Sequence, residues 1–207
     1  METEQKYLYV VFSRTPYRMG SFIRFFTGES YNHVSLAMEA DLNELYAFAR
    51  RYYHTPFYGG FVTEEPCRYH HKGKTAAICL CRLPVSDAQA QQLRQKFSHM
   101  NAHSQHYLYN HLSALIAPLH WRIPVKDAYT CAEFSVSVLQ EMGYDFDRHR
   151  FYAIDDMAKM LEPYRVYTGD FPGPPNESST FFLDDPIPHP ILACLRDMLA
   201  LLARLGQ

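Results

Sequence analysis

The sequence predicts an α+β domain, and three observations carry that prediction. Residues 33–39 (HVSLAME) alternate, with Val34, Leu36 and Met38 on one face and His33, Ser35 and Ala37 on the other, the two-residue period of a strand. A short polar turn, residues 39–43 (EADLN), joins them to residues 45–50 (LYAFAR), and the pair reads as an antiparallel hairpin. Much later, residues 130–142 (TCAEFSVSVLQEM) carry Thr130 and Glu133 at capping-box spacing and end before Gly143, so both ends of a helix are written locally.

The other elements follow in chain order. Residues 6–13 (KYLYVVFS), rich in Tyr, Val and Phe, form a first strand that stops at Arg14-Thr15-Pro16. Residues 21–26 (SFIRFF) read as a short helix closed by Gly28. After the hairpin, residues 76–83 (AAICLCRL) make a strand, and Ser86 with Gln89 opens a helix that runs to about His99. Residues 100–126 give little pattern apart from 109–117 (YNHLSALIA), which has helical spacing stopped by Pro118; the rest reads as loop. A helix over 154–161 then precedes a strand at 165–168 and the Pro-rich stretch 171–176 (FPGPPN). The expected organisation is one domain over 1–170, a Pro-rich linker over 171–189 and an apolar helix within 190–207. That last helix is interrupted by Arg196, Asp197 and Arg204 and is too short to span a membrane. Its Leu195, Met198, Leu199, Leu202 and Leu205 are expected to dock on the domain, with self-association or another partner as the alternative.

Composition narrows the function classes. At 207 residues, with 47% hydrophobic and 20% charged residues, the chain has the makings of one buried core and is not a disordered one. Twenty basic against 22 acidic side chains leave no basic excess for a row of phosphates, which argues against nucleic acid. The N-terminus has no basic stretch leading into an apolar one and no long apolar run follows, so a cytoplasmic protein is expected. Its five cysteines, an odd set, are then expected to be reduced thiols, each either core or chemistry. The 16 Tyr and 14 Phe are spread along the chain and read as core.

Two residues suit nucleophilic chemistry. Thr130 as N-cap puts Cys131 at the first helical position, where unpaired backbone N–H groups and the positive dipole end favour thiolate over thiol. The bland alternative is a small buried hydrophobe. A thiolate needs a histidine to hold it and later to protonate the leaving group. Among 11 histidines, His33 stands out, because it starts a strand whose opposite face is apolar while its own face carries small residues able to line a cleft. A structural strand histidine is the alternative. His99, His103 and His106 share a helical face that could offer imidazoles to zinc, with Cys79 and Cys81 nearby in type. Without an accompanying carboxylate they read as a solvated face, and no metal or cofactor is expected.

YVVFSRT, SFIRFFTGESYNHVSLAM and YTCAEFSVSVLQEMG together resemble the circularly permuted papain-like thiol hydrolases, the YiiX-like and lecithin retinol acyltransferase-like branch of the NlpC superfamily. The matching pieces are Thr27-Gly28, His33-Val34-Ser35 and Tyr129-Thr130-Cys131, within a resemblance covering about residues 6 to 168. It implies a papain-like α+β fold, a small antiparallel sheet packed on the helix bearing Cys131. It also implies Cys131 as nucleophile, His33 as base and then acid, an acyl-enzyme, and the Cys131 backbone N–H as an oxyanion donor. The substrate would be a small molecule, peptide or lipid with an amide or ester bond, met by hydrolysis or acyl transfer. In the family a third polar residue on the following strand orients the histidine. Here that strand, LYAFA, offers Tyr46 as a weak third position, with Glu44 just before it. A non-catalytic small-molecule or peptide-binding module on the same fold is the competing expectation.

Overall fold

The computed structural model describes residues 5–17, 20, 25, 27–173, 182 and 188–205. Its strands in chain order are β1 (Lys6–Arg14), β2 (His33–Ala37), β3 (Leu45–Arg50), β4 (Gly59–Glu64), β5 (His70–His71), β6 (Lys74–Thr75), β7 (Ala77–Val85), β8 (Leu108–Tyr109), β9 (Ala128–Tyr129) and β10 (Arg165–Asp170). The described helices are α1 (Asp87–Ala102), α2 (His111–Ile116), α3 (Cys131–Glu141), α4 (Ile154–Met160) and α5 (Pro190–Ala203). Six strands form one antiparallel sheet in the order β10-β7-β1-β2-β3-β4. The chain is therefore α+β, as its patterning requires.

Both sheet faces are covered, and the strand period decides which residues each receives. Val34, Leu36, Phe48 and Phe61 face α1, α3 and α4, where they meet Leu93, Phe97, Phe134, Val138 and Met157 in the main core. Val11, Ala37, Leu45, Ile78 and Leu80 face the opposite way, against Tyr69 and Phe171. Capping boxes at Ser86 and at Thr130 start α1 and α3, each with the side chain of the third residue returning to the cap amide.

The main departures from the sequence reading lie where glycine or a long loop obscured the pattern. β4 opens on Gly59-Gly60, a pair that resembles a break, yet a Cβ at Gly60 would sit 2.1 Å from the Tyr107 carbonyl oxygen. The glycines are there for the close approach of the 107–109 backbone to the sheet edge. The helical spacing over 109–117 becomes α2, but the rest of 100–126 is only partly loop: α1 continues to Ala102, β8 pairs with β9 in parallel, and α2 passes into a 3-10 turn over Ala117–Leu119 before an irregular segment. Pro118 sits inside that turn, where its missing N–H costs nothing. The expected helix over 21–26 lies almost wholly outside the described residues, as does most of the 171–189 link.

α5 docks on the domain. Leu201 is buried against Leu108, Val125 and Ala128, and Arg204 Nη1 donates to the His106 carbonyl at 3.0 Å. The face expected to dock does not: Leu195, Leu199, Leu202 and Leu205 are exposed together with Ile191 and Leu192, and the contact is made by the neighbouring face that carries Leu201. No described helix is long and apolar enough to cross a membrane.

Candidate active site

His33 sits at the start of β2, where backbone pairing holds it to Ser13 of β1. Asn32 pins the same corner: its Oδ1 accepts from the Thr15 amide at 3.0 Å and its Nδ2 donates to Thr15 Oγ1 at 2.8 Å. A second anchor precedes it, since the Ser30 and Tyr31 amides donate to the Asp155 carboxylate, at 2.7 and 3.1 Å. In return the Ile154 and Asp155 amides, at the first turn of α4, donate to Glu29 Oε2 at 2.6 and 3.2 Å. This exchange satisfies helix-end donors while fixing the chain that delivers His33.

Cys131 is the first residue of α3 and is buried. Thr130 Oγ1 accepts from the Glu133 amide at 3.1 Å, and the Thr130 amide donates to Glu133 Oε2 at 2.7 Å. Glu133 does more than cap. Its Oε1 accepts from Ser113 Oγ at 2.9 Å and Arg122 Nε at 3.2 Å, which ties α2 and the 122–123 segment to the base of the cysteine helix. The amides of Cys131 and Ala132 have no carbonyl of the helix to donate to, by the geometry of a helix start.

The fold brings His33 and Cys131 together: both line a cavity of about 460 Å³, close enough for the Cys131 side chain to help hold the proton on the imidazole. A smaller cavity of about 110 Å³ shares Asn32, Tyr109, Ala114 and Cys131 with it, so space opens on two sides of the thiol. His33 Nε2 is held by Glu64, at 2.9 Å from Oε2 and 3.1 Å from Oε1. Glu64, at the end of β4, is itself buried and enclosed by donors: Ser35 Oγ at 2.8 Å, Tyr69 OH at 2.9 Å and Arg68 Nη1 at 3.1 Å.

These contacts set the protonation of the pair. Burial alone would drive the proton off His33, but the Glu64 charge and the hydrogen bonds to Cys131 and Glu64 more than offset it, and the imidazole pKa rises to about 10. Burial likewise pushes the Glu64 carboxyl up, and His33, Arg68 and Ser35 together pull it far below the ordinary carboxylate range. At neutral pH the site holds an imidazolium beside a carboxylate.

Tyr46 is not at His33, which corrects the sequence expectation. β2 and β3 pair at Leu36↔Tyr46, so Tyr46 shares the face of Leu36, and His33, three residues from Leu36, points to the other face. The Tyr46 ring stacks on Phe97 with centroids 4.4 Å apart, and its hydroxyl donates to Glu44 Oε2 at 2.9 Å. Glu44 is thereby also occupied away from the site. The polar partner comes instead from one strand further, where Glu64 pairs with Leu45 and so shares the His33 face. The signal available in the sequence was the GGFVTE run, an aromatic and β-branched pair leading to a carboxylate.

Among the described residues no group of three or more His, Cys, Asp and Glu side chains could hold a metal ion. His106 instead pairs with Asp127 at 2.9 Å, and His103 Nδ1 lies 2.9 Å from the His99 carbonyl oxygen. All five cysteines are free. The chain matches no protein-family model, and no curated protein and no solved structure matches it.

Proposed function

We propose that this chain is a cysteine-dependent hydrolase or acyltransferase acting on an amide or ester carbonyl, on a circularly permuted papain-like fold of the NlpC type. The observation that carries the reading is the set Cys131, His33, Glu64: a helix-start thiol, an imidazole in the wall of the same cavity, and a buried carboxylate on Nε2 of that imidazole. With Nε2 committed to Glu64, Nδ1 serves the sulfur. Cys131 Sγ, its proton already held by His33, attacks the carbonyl carbon, and the developing oxyanion turns toward the N–H groups at the start of α3. The imidazolium gives its proton to the departing nitrogen or oxygen, which leaves an acyl thioester and a neutral imidazole. Water, or an acceptor hydroxyl or amine, then loses its proton to that imidazole as it attacks the thioester, releasing the acyl product and restoring the resting pair. Glu64 stays ionised throughout and holds the ring angle and tautomer. A non-catalytic binding module on the same fold is the second reading, and the carboxylate behind His33 favours the catalytic one.

Incubation with a panel of p-nitrophenyl esters and anilides, followed by intact-mass measurement, tests the proposal. The expected result is an acyl adduct on Cys131 that is absent from Cys131→Ala. A native protein in which Cys131 reacts with electrophiles no faster than a simple thiol such as N-acetylcysteine would sink it.

A further inference from the structure

Among the described residues, the cavity that holds Cys131 carries a cation, Arg50, that no carboxylate of its walls neutralises. Arg50, the last residue of β3, lies two positions beyond Phe48 and so on the sheet face that α3 covers, where Phe48 meets Phe134 at 5.1 Å between ring centroids. It lines the same cavity as His33 and Cys131. Among the described residues its one hydrogen-bond acceptor is the Tyr53 carbonyl, at 2.7 Å from Nη1, and no carboxylate pairs with it. Its guanidinium stands 5.7 Å from the Tyr53 ring centroid and 5.8 Å from that of Phe182, contacts that soften a buried charge without cancelling it. The two neighbouring arginines are spoken for. Arg68 pairs with Glu64 and donates to the Arg50 and Arg51 carbonyls. Arg51 donates to the carbonyls of Phe61, Ser104 and Tyr107. Glu64, the acidic residue of the cavity wall, is already saturated by His33, Ser35, Tyr69 and Arg68.

A half-buried guanidinium with unused N–H donors is a costly side chain to keep if packing were its only purpose, since an apolar residue would fill the same space. We propose that Arg50 is the anion-recognising residue of this site and that the substrate carries a carboxylate within a few atoms of the carbonyl that Cys131 attacks. The inference rests on the acyl-transfer reading and adds the charge of the substrate to it. A carboxylate fits better than a phosphate dianion. One guanidinium is uncommitted, matching one negative charge, and its planar fork matches two carboxylate oxygens. Loss of water, with crowding by Arg68, makes the Arg50 guanidinium easier to deprotonate than a free one, a penalty that a bound carboxylate would relieve.

Paired alkylation tests this. Iodoacetate and iodoacetamide deliver nearly the same electrophile with and without a carboxylate, and the ratio of their rates at Cys131, read by peptide mass spectrometry, cancels general effects of a substitution on the thiol. The ratio in the wild type is expected to exceed that of N-acetylcysteine and to fall about tenfold in Arg50→Gln, with Arg50→Lys between them. The His33 imidazolium contributes alike to all three proteins. A ratio unchanged in Arg50→Gln overturns the assignment while leaving the nucleophile standing. If Cys131 is slow with both reagents, the acyl-transfer reading fails and takes this proposal with it. Should Arg50→Gln not fold, protection of wild-type Cys131 against iodoacetamide by glutarate, with none by glutaramide, supports the proposal, and equal or absent protection refutes it.

Discussion

His33 Nε2 lies 2.9 Å from Glu64 Oε2, across 31 positions of sequence and two strands of the sheet. Three further donors converge on the same carboxylate, so the charge that steadies the imidazole is itself steadied by Ser35, Arg68 and Tyr69. A buried carboxylate in such a cage keeps its charge, and the cage keeps it where the imidazole needs it.

Glu64→Gln is expected to move the alkaline limb of Cys131 acylation to lower pH by more than one unit. The sign follows from His33, whose pKa is held at about 10 chiefly against the pull of burial. Without the carboxylate charge, burial dominates and the imidazolium loses its proton earlier as pH rises. The pH profile of kcat/KM checks this, and an unmoved limb would separate Glu64 from the imidazole. The same substitution leaves Arg68 without its carboxylate partner and should cost about 3 kcal/mol of stability by urea denaturation.

Acid should unfold the protein partly through Glu64. A carboxyl whose folded pKa lies below its unfolded value stabilises the native state above the unfolded pKa, near 4.5, and that contribution is lost as pH falls toward the folded value. The wild-type melting temperature should therefore drop as pH is lowered below about 4.5. The Glu64→Gln protein should show a shallower drop over the same range. Parallel curves would contradict the linkage.

Tyr46→Phe is expected to leave Cys131 labelling unchanged and to alter stability by about 0.5 kcal/mol or less. The ring keeps its stack on Phe97, and the deleted hydroxyl is bonded to an exposed glutamate. A slower acylation rate in this variant would restore Tyr46 to the site.

Thr130→Ala should cost about 1 kcal/mol through the lost cap. Glu133→Ala should cost more, roughly 2 to 3 kcal/mol, because Ser113 and Arg122 lose an acceptor along with the Thr130 amide. Urea denaturation of the two variants measures the difference, and equal costs would mean that Glu133 is a cap and nothing more.

Asp155→Ala should slow Cys131 acylation although Asp155 lines neither cavity. It removes the acceptor for the Ser30 and Tyr31 amides, and so frees the segment that delivers His33. Single-turnover labelling with iodoacetamide reads the effect. A variant that loses stability but labels at the wild-type rate would confine Asp155 to the fold.

What the sequence determined by itself is local. Thr130, Glu133 and Gly143 bound the cysteine helix within 14 positions, and alternation from His33 to Met38 assigns each side chain to a face, because both signals are carried by neighbours one turn or two residues apart. The hairpin from His33 to Arg50 is legible for the same reason. Which strand supplies the residue behind His33 is a different kind of question. Tyr46 is adjacent in sequence and on the wrong face; Glu64 is one strand further and on the right one, and the pairing of Leu45 with Glu64 that brings it there is written in no single segment. Arg50 is another such case. Its charge is plain in the sequence, but its place in the wall of the cavity that holds Cys131, and its lack of a carboxylate partner among the described residues, appear only when β3, β4 and α3 are packed together. Register and face follow from local period, whereas partners across a sheet follow from burial of all its strands at once, and only the tertiary structure performs that selection.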